Sequence, residues 1–345
     1  MAINTTQARS LLTSTLVQVY KEMPKTTSFL SSFFNPVEST DKFVSIEVQR
    51  GTEKVAVDVI RGEKGNYNKV SRSTEKVIKP PLYSEWFNAT DLRLYDVAIG
   101  NPNASNLVAL ANEMADEALM VRQKIERAYE KQAADVLETG VITLLNGTDI
   151  DFGRSASSIV DNSGTPWSTG TVDPVAQITA GCEYLRTAGK MQGGRVNMIC
   201  GKSALSALLN NDTFQAQMDV RRIDLGQIKK EQANALGGVP HGIITAGSWD
   251  VVIWSYPEYY DVSGVSTPYI ADKKVVLVPE APKFTAGFGA VPQLINDDGS
   301  IDQQGAFLME EFLNKEEASH KVYQKSAGVM IPTAIDQIYT MLVLA

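Results

Sequence analysis

The 345-residue chain is sparing with the side chains that usually carry chemistry. It holds two histidines, His241 and His320, and two cysteines, Cys182 and Cys200. Histidines that far apart offer no paired metal-ligand spacing. Two cysteines are too few for the disulfide framework of a small secreted protein, and they read as buried, compact apolar side chains in a reducing compartment. No apolar run approaches the ~18 residues that a membrane helix needs. The first stretch, MAINTTQARSLLTSTLVQVYKEMP, lacks the charged start and small-residue cleavage site of a secretion signal, so the protein is expected to act where it is made.

What is present is an ordinary folded composition, 43% hydrophobic and 21% charged, at a length that suggests about two globular units. The net charge of −8 speaks against a protein whose main task is to wrap nucleic acid, because that affinity comes from neutralising phosphates. The charge is unevenly spread. From Arg50 to Lys79 eight basic residues stand against four acidic ones, which puts this segment at +4 and the remainder at −12.

The same region has strand spacing at Val44, Ile46 and Val48, and again at Val55, Val57 and Val59. Between Arg61 and Lys76, RGEKGNYNKVSRSTEK has two glycines, many turn formers and almost no apolar side chain, before Val77, Ile78 and the Pro80-Pro81 stop. It reads as a long, solvated two-stranded finger. Such a finger cannot bury itself, since an isolated hairpin is marginal in water. A mobile surface loop, a nucleic-acid-binding hairpin and an arm laid on a neighbouring, acidic copy of the chain all fit this pattern. On the last reading Arg61, Lys64, Lys69, Arg72 and Lys76 make the inter-subunit contacts.

The clearest helix follows Asn101-Pro102-Asn103. Leu107, Leu110, Met114, Ala118, Val121, Ile125, Ala128 and Val136 recur at helical steps, and Gly140 closes the run. The small Ala118 and Ala128 favour packing on a sheet over a coiled coil. Glu113, Arg122, Glu126, Arg127, Glu130 and Lys131 form the other face, read as a solvated or interface stripe.

Several motifs imitate chemistry. Asp151-Phe152-Gly153 is the magnesium-holding tripeptide of protein kinases, but both histidines come after it, so no His-Arg-Asp catalytic loop precedes it. Gly201-Lys202-Ser203 sits between a strand and a helix like a phosphate loop, yet Val196 stands where the motif needs its first glycine. GFGAVP lacks a third glycine. LINDDGSIDQQG puts Leu294 and Gly305 where a calcium loop needs ligands. No catalytic, cofactor-binding or metal residue is assigned on this reading, and no cofactor is expected.

The second half alternates a helix opened by Asp173-Pro174, a strand at Val196 to Cys200, a helix from Ser203 and a polar helix around DLGQIKKEQANALGG. The strands HGIITAG, DVVIWSY, PYIAD and KKVVLVP follow, an order that predicts a mixed sheet flanked by helices. SAGVMIPTAIDQIYTMLVLA ends in strand-like spacing interrupted at Pro332 and Asp336.

Asp-Phe-Gly-Arg-Ser from Asp151, the Ser/Gly-rich spacer, Thr165, Trp167-Ser168 and Asp173-Pro174 leading into a helix together resemble the major capsid protein of lambda-type tailed phages, the phage major capsid protein E family. The apolar close from Ser326 to Ala345 is similar to that family's C-terminus. The likeness runs over essentially the whole chain. It implies an α+β, Hong Kong 97-like fold: an N-terminal arm (1–40), an extended loop (41–82) and a peripheral domain (83–175 and 315–345). The peripheral domain carries a spine helix at about 104–139 and receives the final strand, and an axial domain (176–314) completes the fold. The Asp151 stretch becomes the hinge-side connection between the two domains.

By the same resemblance, copies form hexamers and pentamers that close an icosahedral shell around double-stranded DNA, without sequence specificity and without a membrane. A portal, and a scaffold or decoration protein, are implied partners. Assembly is expected in the host cytoplasm and residence in the virion, with no enzymatic activity. Lys64 and Lys69 occupy a loop comparable to the one that some relatives cross-link, but no marker for the buried carboxylate of that chemistry is visible. An encapsulin-like compartment shell and a soluble α/β enzyme are the competing readings.

Overall fold

The computed structural model describes residues 28–39, 43–48, 74–92, 104–221, 236–294, 301–304, 306–314 and 319–345. The first half contributes β1 (Phe34–Glu38), β2 (Val44–Val48), β3 (Thr74–Ile78), β4 (Leu82–Asn88) and the long helix α1 (Ala104–Glu138). Short strands β5 (Val141–Ile142), β6 (Ile150–Asp151) and β7 (Ile159–Asp161) lead to α2 (Pro174–Thr187). Then come β8 (Arg195–Cys200), α3 (Lys202–Leu209), α4 (Asp212–Arg221), β9 (Val239–Ala246) and β10 (Trp249–Ser255). Next in the chain are β11 (Tyr259–Val262), β12 (Val265–Pro268), β13 (Lys274–Pro279) and β14 (Phe284–Phe288). The remaining strands are β15 (Val291–Leu294), β16 (Ile301–Gln304), β17 (Leu308–Asn314), β18 (Ser319–Ile331) and β19 (Tyr339–Leu342).

Two sheets organise these elements. The first has six strands in the order β7-β19-β13-β8-β10-β9 and is mixed, with β10 parallel to β8 and β13 antiparallel to it. Its central strands alternate with period two between two cores. Val196, Met198 and Cys200 of β8 and Val275 and Leu277 of β13 face a core shared with Ile178, Cys182 and Leu185 of α2. Ile199, Val276 and Val278 face the opposite way, into a core shared with Ile125, Tyr129, Ala133 and Leu137 of α1. Each such fully buried aliphatic side chain contributes about 1.5–3 kcal/mol relative to exposure, which explains the near-continuous apolar runs in these two strands.

The second sheet has five strands in the order β1-β14-β18-β17, with β4 on the other side of β18. The helix α1 packs on β18 and β4. Leu110, Met114 and Ala115 meet Ala89 and Val322 there, and Ala118 is buried as its small size suggests. The return of the chain visits both sheets: β18 belongs to the five-stranded one, whereas β19 pairs with β13 in the six-stranded one. Pro332 falls between them, where a strand can spare its missing N–H.

Helix ends follow their sequence signals. Asp173 Oδ1 accepts the N–H of Val175 at 2.9 Å and of Ala176 at 3.3 Å, a cap worth about 1 kcal/mol, with Pro174 in the first helical position. After α1, Gly140 takes φ +78°, and its N–H donates to Val136 O at 3.0 Å.

Two expectations change. PYIAD is not a strand: β12 ends at Pro268, and Ala271 to Lys274 form a turn whose Asp272 carbonyl accepts the N–H of Ala204. The turn is held there because Gly201 lets the Ala271 and Asp272 carbonyls approach closer than any Cβ would allow. The polar face of α1 is not uniformly solvated. Glu130 is 3% exposed, and Arg122 lies over the Phe307 ring while pairing with Glu126 at 2.8 Å. The strand expected at Val55 to Val59 and most of the polar helix around residue 230 lie outside the described residues.

Candidate assembly surface and domain junction

The base of the finger is the antiparallel pair β2–β3, with Val44 opposite Ile78 and Ile46 opposite Lys76. Val44 and Ile78 are buried in the core beneath it, and a Cβ on Gly287 would come within 2.7 Å of Val44 Cγ1. The base is therefore pinned by two inward apolar side chains, while Phe43 and Val77 stay half-exposed. Of the residues proposed for inter-subunit contact, Lys76 lies on β3, and Arg61, Lys64, Lys69 and Arg72 lie outside the described residues.

The arm enters through a buried carboxylate. The N–H of Leu30 donates to Glu130 Oε1 at 2.8 Å and that of Ser31 to Oε2 at 2.9 Å. Burial pushes the Glu130 carboxyl above its usual range, against the lowering effect of those amides and of the Tyr256 hydroxyl. Phe29 seats beside Trp254 and Tyr256, with ring centroids 5.2 and 5.7 Å away.

The face of the β4-β18-β17 layer opposite α1 carries an aromatic ladder. Trp86 stacks on Tyr323 at 5.8 Å, and Phe312 meets Tyr323 edge-on at 5.4 Å. Lys321 lies over the Trp86 ring, and Lys325 lies near Phe312 and bonds Glu310. Trp86 is 50% and Phe312 40% exposed. Beside it a shallow groove of about 450 Å³ is lined by Trp86, Phe87, Asn88, Asp91, Leu92 and Glu117.

The Asp151 stretch has a structural occupation. Asp151 Oδ1 accepts the N–H of Gly153 at 2.7 Å, a local turn that spends the carboxylate on its own backbone. Arg154 then reaches across the junction. Its Nη1 donates to Leu137 O at the end of α1 (3.0 Å), its Nη2 to Thr340 Oγ1 of β19 (2.8 Å) and to Ser158 O (3.0 Å), and its Nε to Ser158 Oγ (2.8 Å). Thr340 Oγ1 donates to the same Leu137 carbonyl at 3.0 Å. Burial lowers the Arg154 guanidinium to about 10. A second tie joins the same end of the helix to β13, where Lys274 Nζ meets Glu138 Oε2 at 2.9 Å. Sequence reasoning gave Arg154 a place in a motif but no role, because its partners lie far along the chain.

The imitations of catalytic motifs are filled by the fold. At Gly201 the start of α3 is occupied by the Ala271–Asp272 turn, which leaves no room for a phosphate. Cys182 and Cys200 are buried and unpaired, and burial pushes both thiols up to about 12, far from a reactive thiolate. His241 Nε2 shares a 2.7 Å hydrogen bond with Ser255 Oγ, and His320 lies 3.5 Å from Glu311. Among the described residues, no group of three or more His, Cys, Asp or Glu side chains is placed to hold a metal ion. Among the same residues no helix is long and apolar enough to cross a membrane.

The sequence model of the phage major capsid protein E family matches residues 13–343. The chain belongs to that family. Membership implies a structural role, assembly with copies of itself and a place in the virion. Solved structures agree on the fold. A protein described as the capsid protein of a prophage in Escherichia coli CFT073 is 15% identical, with 100% of both chains covered and a TM-score of 0.63. A phage-related protein from Bordetella bronchiseptica RB50 is 12% identical over 94% of this chain and 95% of its own, with a TM-score of 0.54. No curated protein sequence matches the chain at a significant level. The capsid fold thus accounts for the whole chain, and its mixed helix and sheet architecture is the one the sequence predicts.

Proposed function

We propose that this phage capsid protein is the major head protein of a tailed, double-stranded DNA phage. It assembles as hexamers and pentamers into a closed icosahedral shell of Hong Kong 97 type. The observation that carries the reading is the family match along nearly the full chain. The domain plan that goes with it has the arm at 1–40, the extended loop at 41–82, the peripheral domain at 83–175 and 315–345, and the axial domain at 176–314. In that plan β19 lends its strand to the axial sheet.

The basic finger lies across the acidic surface of a neighbouring copy through Arg61, Lys64, Lys69, Arg72 and Lys76. Its charge guides register more than it adds raw affinity. A net negative shell does not grip the packaged DNA, so the genome stays mobile inside it. A portal and a scaffold or decoration protein are its partners, assembly takes place in the host cytoplasm, and the protein performs no catalysis.

Expressing the chain alone and imaging the purified product by electron microscopy tests the reading. Closed particles, with nucleic acid in those purified from infected cells, are expected. A small oligomer in sedimentation, or shells filled with protein cargo, would overturn it.

A further inference from the structure

We infer that Arg154 is a positioning residue that sets the angle between the spine helix and the six-stranded sheet, and through that angle the curvature of the shell. The inference rests on the shell reading above. Arg154 commits four of its N–H donations to three segments: the last turn of α1, the turn at Ser158 and strand β19. A planar guanidinium offers its donors in fixed directions, so three segments bound at once are held in one mutual orientation. Among the described residues no carboxylate is within ion-pair distance of it. Its charge is instead answered by carbonyl and hydroxyl oxygens, one of them at the negative end of the helix dipole. Gly140 keeps the passage open, since a Cβ there would lie 2.7 Å from Arg154 Cβ.

The helix makes a small rotation matter. With 35 residues it is about 50 Å long, so a turn of about 5° at the Leu137 end moves the far end by roughly 4 Å. The helix packs on β4 and β18 along its length, from Met114 beside Val322 to Gln132, whose Oε1 accepts the N–H of Met330 at 3.1 Å, and so moves that sheet with it. Neighbours in a closed shell meet across such surfaces, and a displacement of that size changes the angle between them.

Two measurements test this. In dissociated protein, spin labels at Asp116→Cys on α1 and Glu183→Cys on α2 report the angle as a distance distribution. Both positions are exposed, and the native Cys182 and Cys200 are buried away from the reagent. The distribution is expected to be narrow with Arg154 present. It should broaden or shift by several ångströms in Arg154→Ala and in Thr340→Val, and only partly recover in Arg154→Lys, which lacks the fork. In assembled protein, electron microscopy should find shells of mixed diameter for Arg154→Ala. Asn211→Ala is the control. It removes a buried amide that donates to the carbonyls of Trp167, Thr169 and Val172, and should lower thermal stability without changing label distance or diameter. Unchanged label distances in Arg154→Ala, or equal changes in Asn211→Ala, would overturn the inference. Failure of the unmodified chain to form shells would instead count against the proposed function, with the label distances still deciding this one.

Discussion

The two sheets of this protein solve the burial problem differently. Strands β8 and β13 of the six-stranded sheet are covered on both faces, each alternate side chain entering one of two cores. The β4-β18-β17 layer is covered on one face by α1, while the other leaves Trp86 and Phe312 half in water. The first region completes itself within one chain. The second stops half-way, as expected for a surface that other copies complete in a capsid. The base of the finger is rooted differently again, by Val44 and Ile78 buried in the core beside Gly287 of β14.

Substitutions can break this contrast. The largest effect on the isolated chain is expected from Trp167→Ala, because Trp167 is fully buried and its Nε1–H donates to Gln177 Oε1 at 2.7 Å. A loss of about 3–5 kcal/mol in denaturant unfolding is predicted. Gly140→Ala, at the junction, should cost roughly 1–3 kcal/mol, since it combines a positive φ with a close approach to Arg154. Trp86→Ala removes one exposed stacking contact and one cation–π contact, and should cost only about 1 kcal/mol. Were it to cost as much as Trp167→Ala, the open face would not be open.

The smallest effect concerns pH. Burial lowers the His241 imidazole below its ordinary value, so the unfolded chain takes up a proton more readily than the folded one. That contribution is harmless above the unfolded value near 6.5 and destabilises as pH falls through it. His241→Gln should therefore lose slightly less stability between pH 7 and pH 5 than the unmodified protein, measured by thermal unfolding.

Much of this was legible in the residues. The spine helix stands out because a 35-residue helix repeats its apolar stripe many times, and β8 and β13 stand out as apolar runs. The asymmetry of charge around the finger also needs no structure to see. What the pattern hid were polar groups with distant partners. Glu130 looks like one more charge on a solvated stripe until the amides of Leu30 and Ser31, about a hundred residues earlier, are brought to it. Arg154 sits in a Ser/Gly-rich stretch that reads as loop, and its task depends on Leu137 and Thr340. PYIAD has strand-forming residues, but the close passage of its carbonyls past Gly201 decides for a turn. Local propensity carries no information about such long-range contacts.

The account depends most on the idea that positive charge on the finger closes the lattice between copies. Replacing Arg61, Lys64, Lys69 and Arg72 together by Glu, and then comparing assembly at ordinary salt by electron microscopy with unfolding of the dissociated protein, tests it directly. Shell closure should be lost while the unfolding midpoint stays where it was. Shells of normal size from the reversed chain would contradict the account.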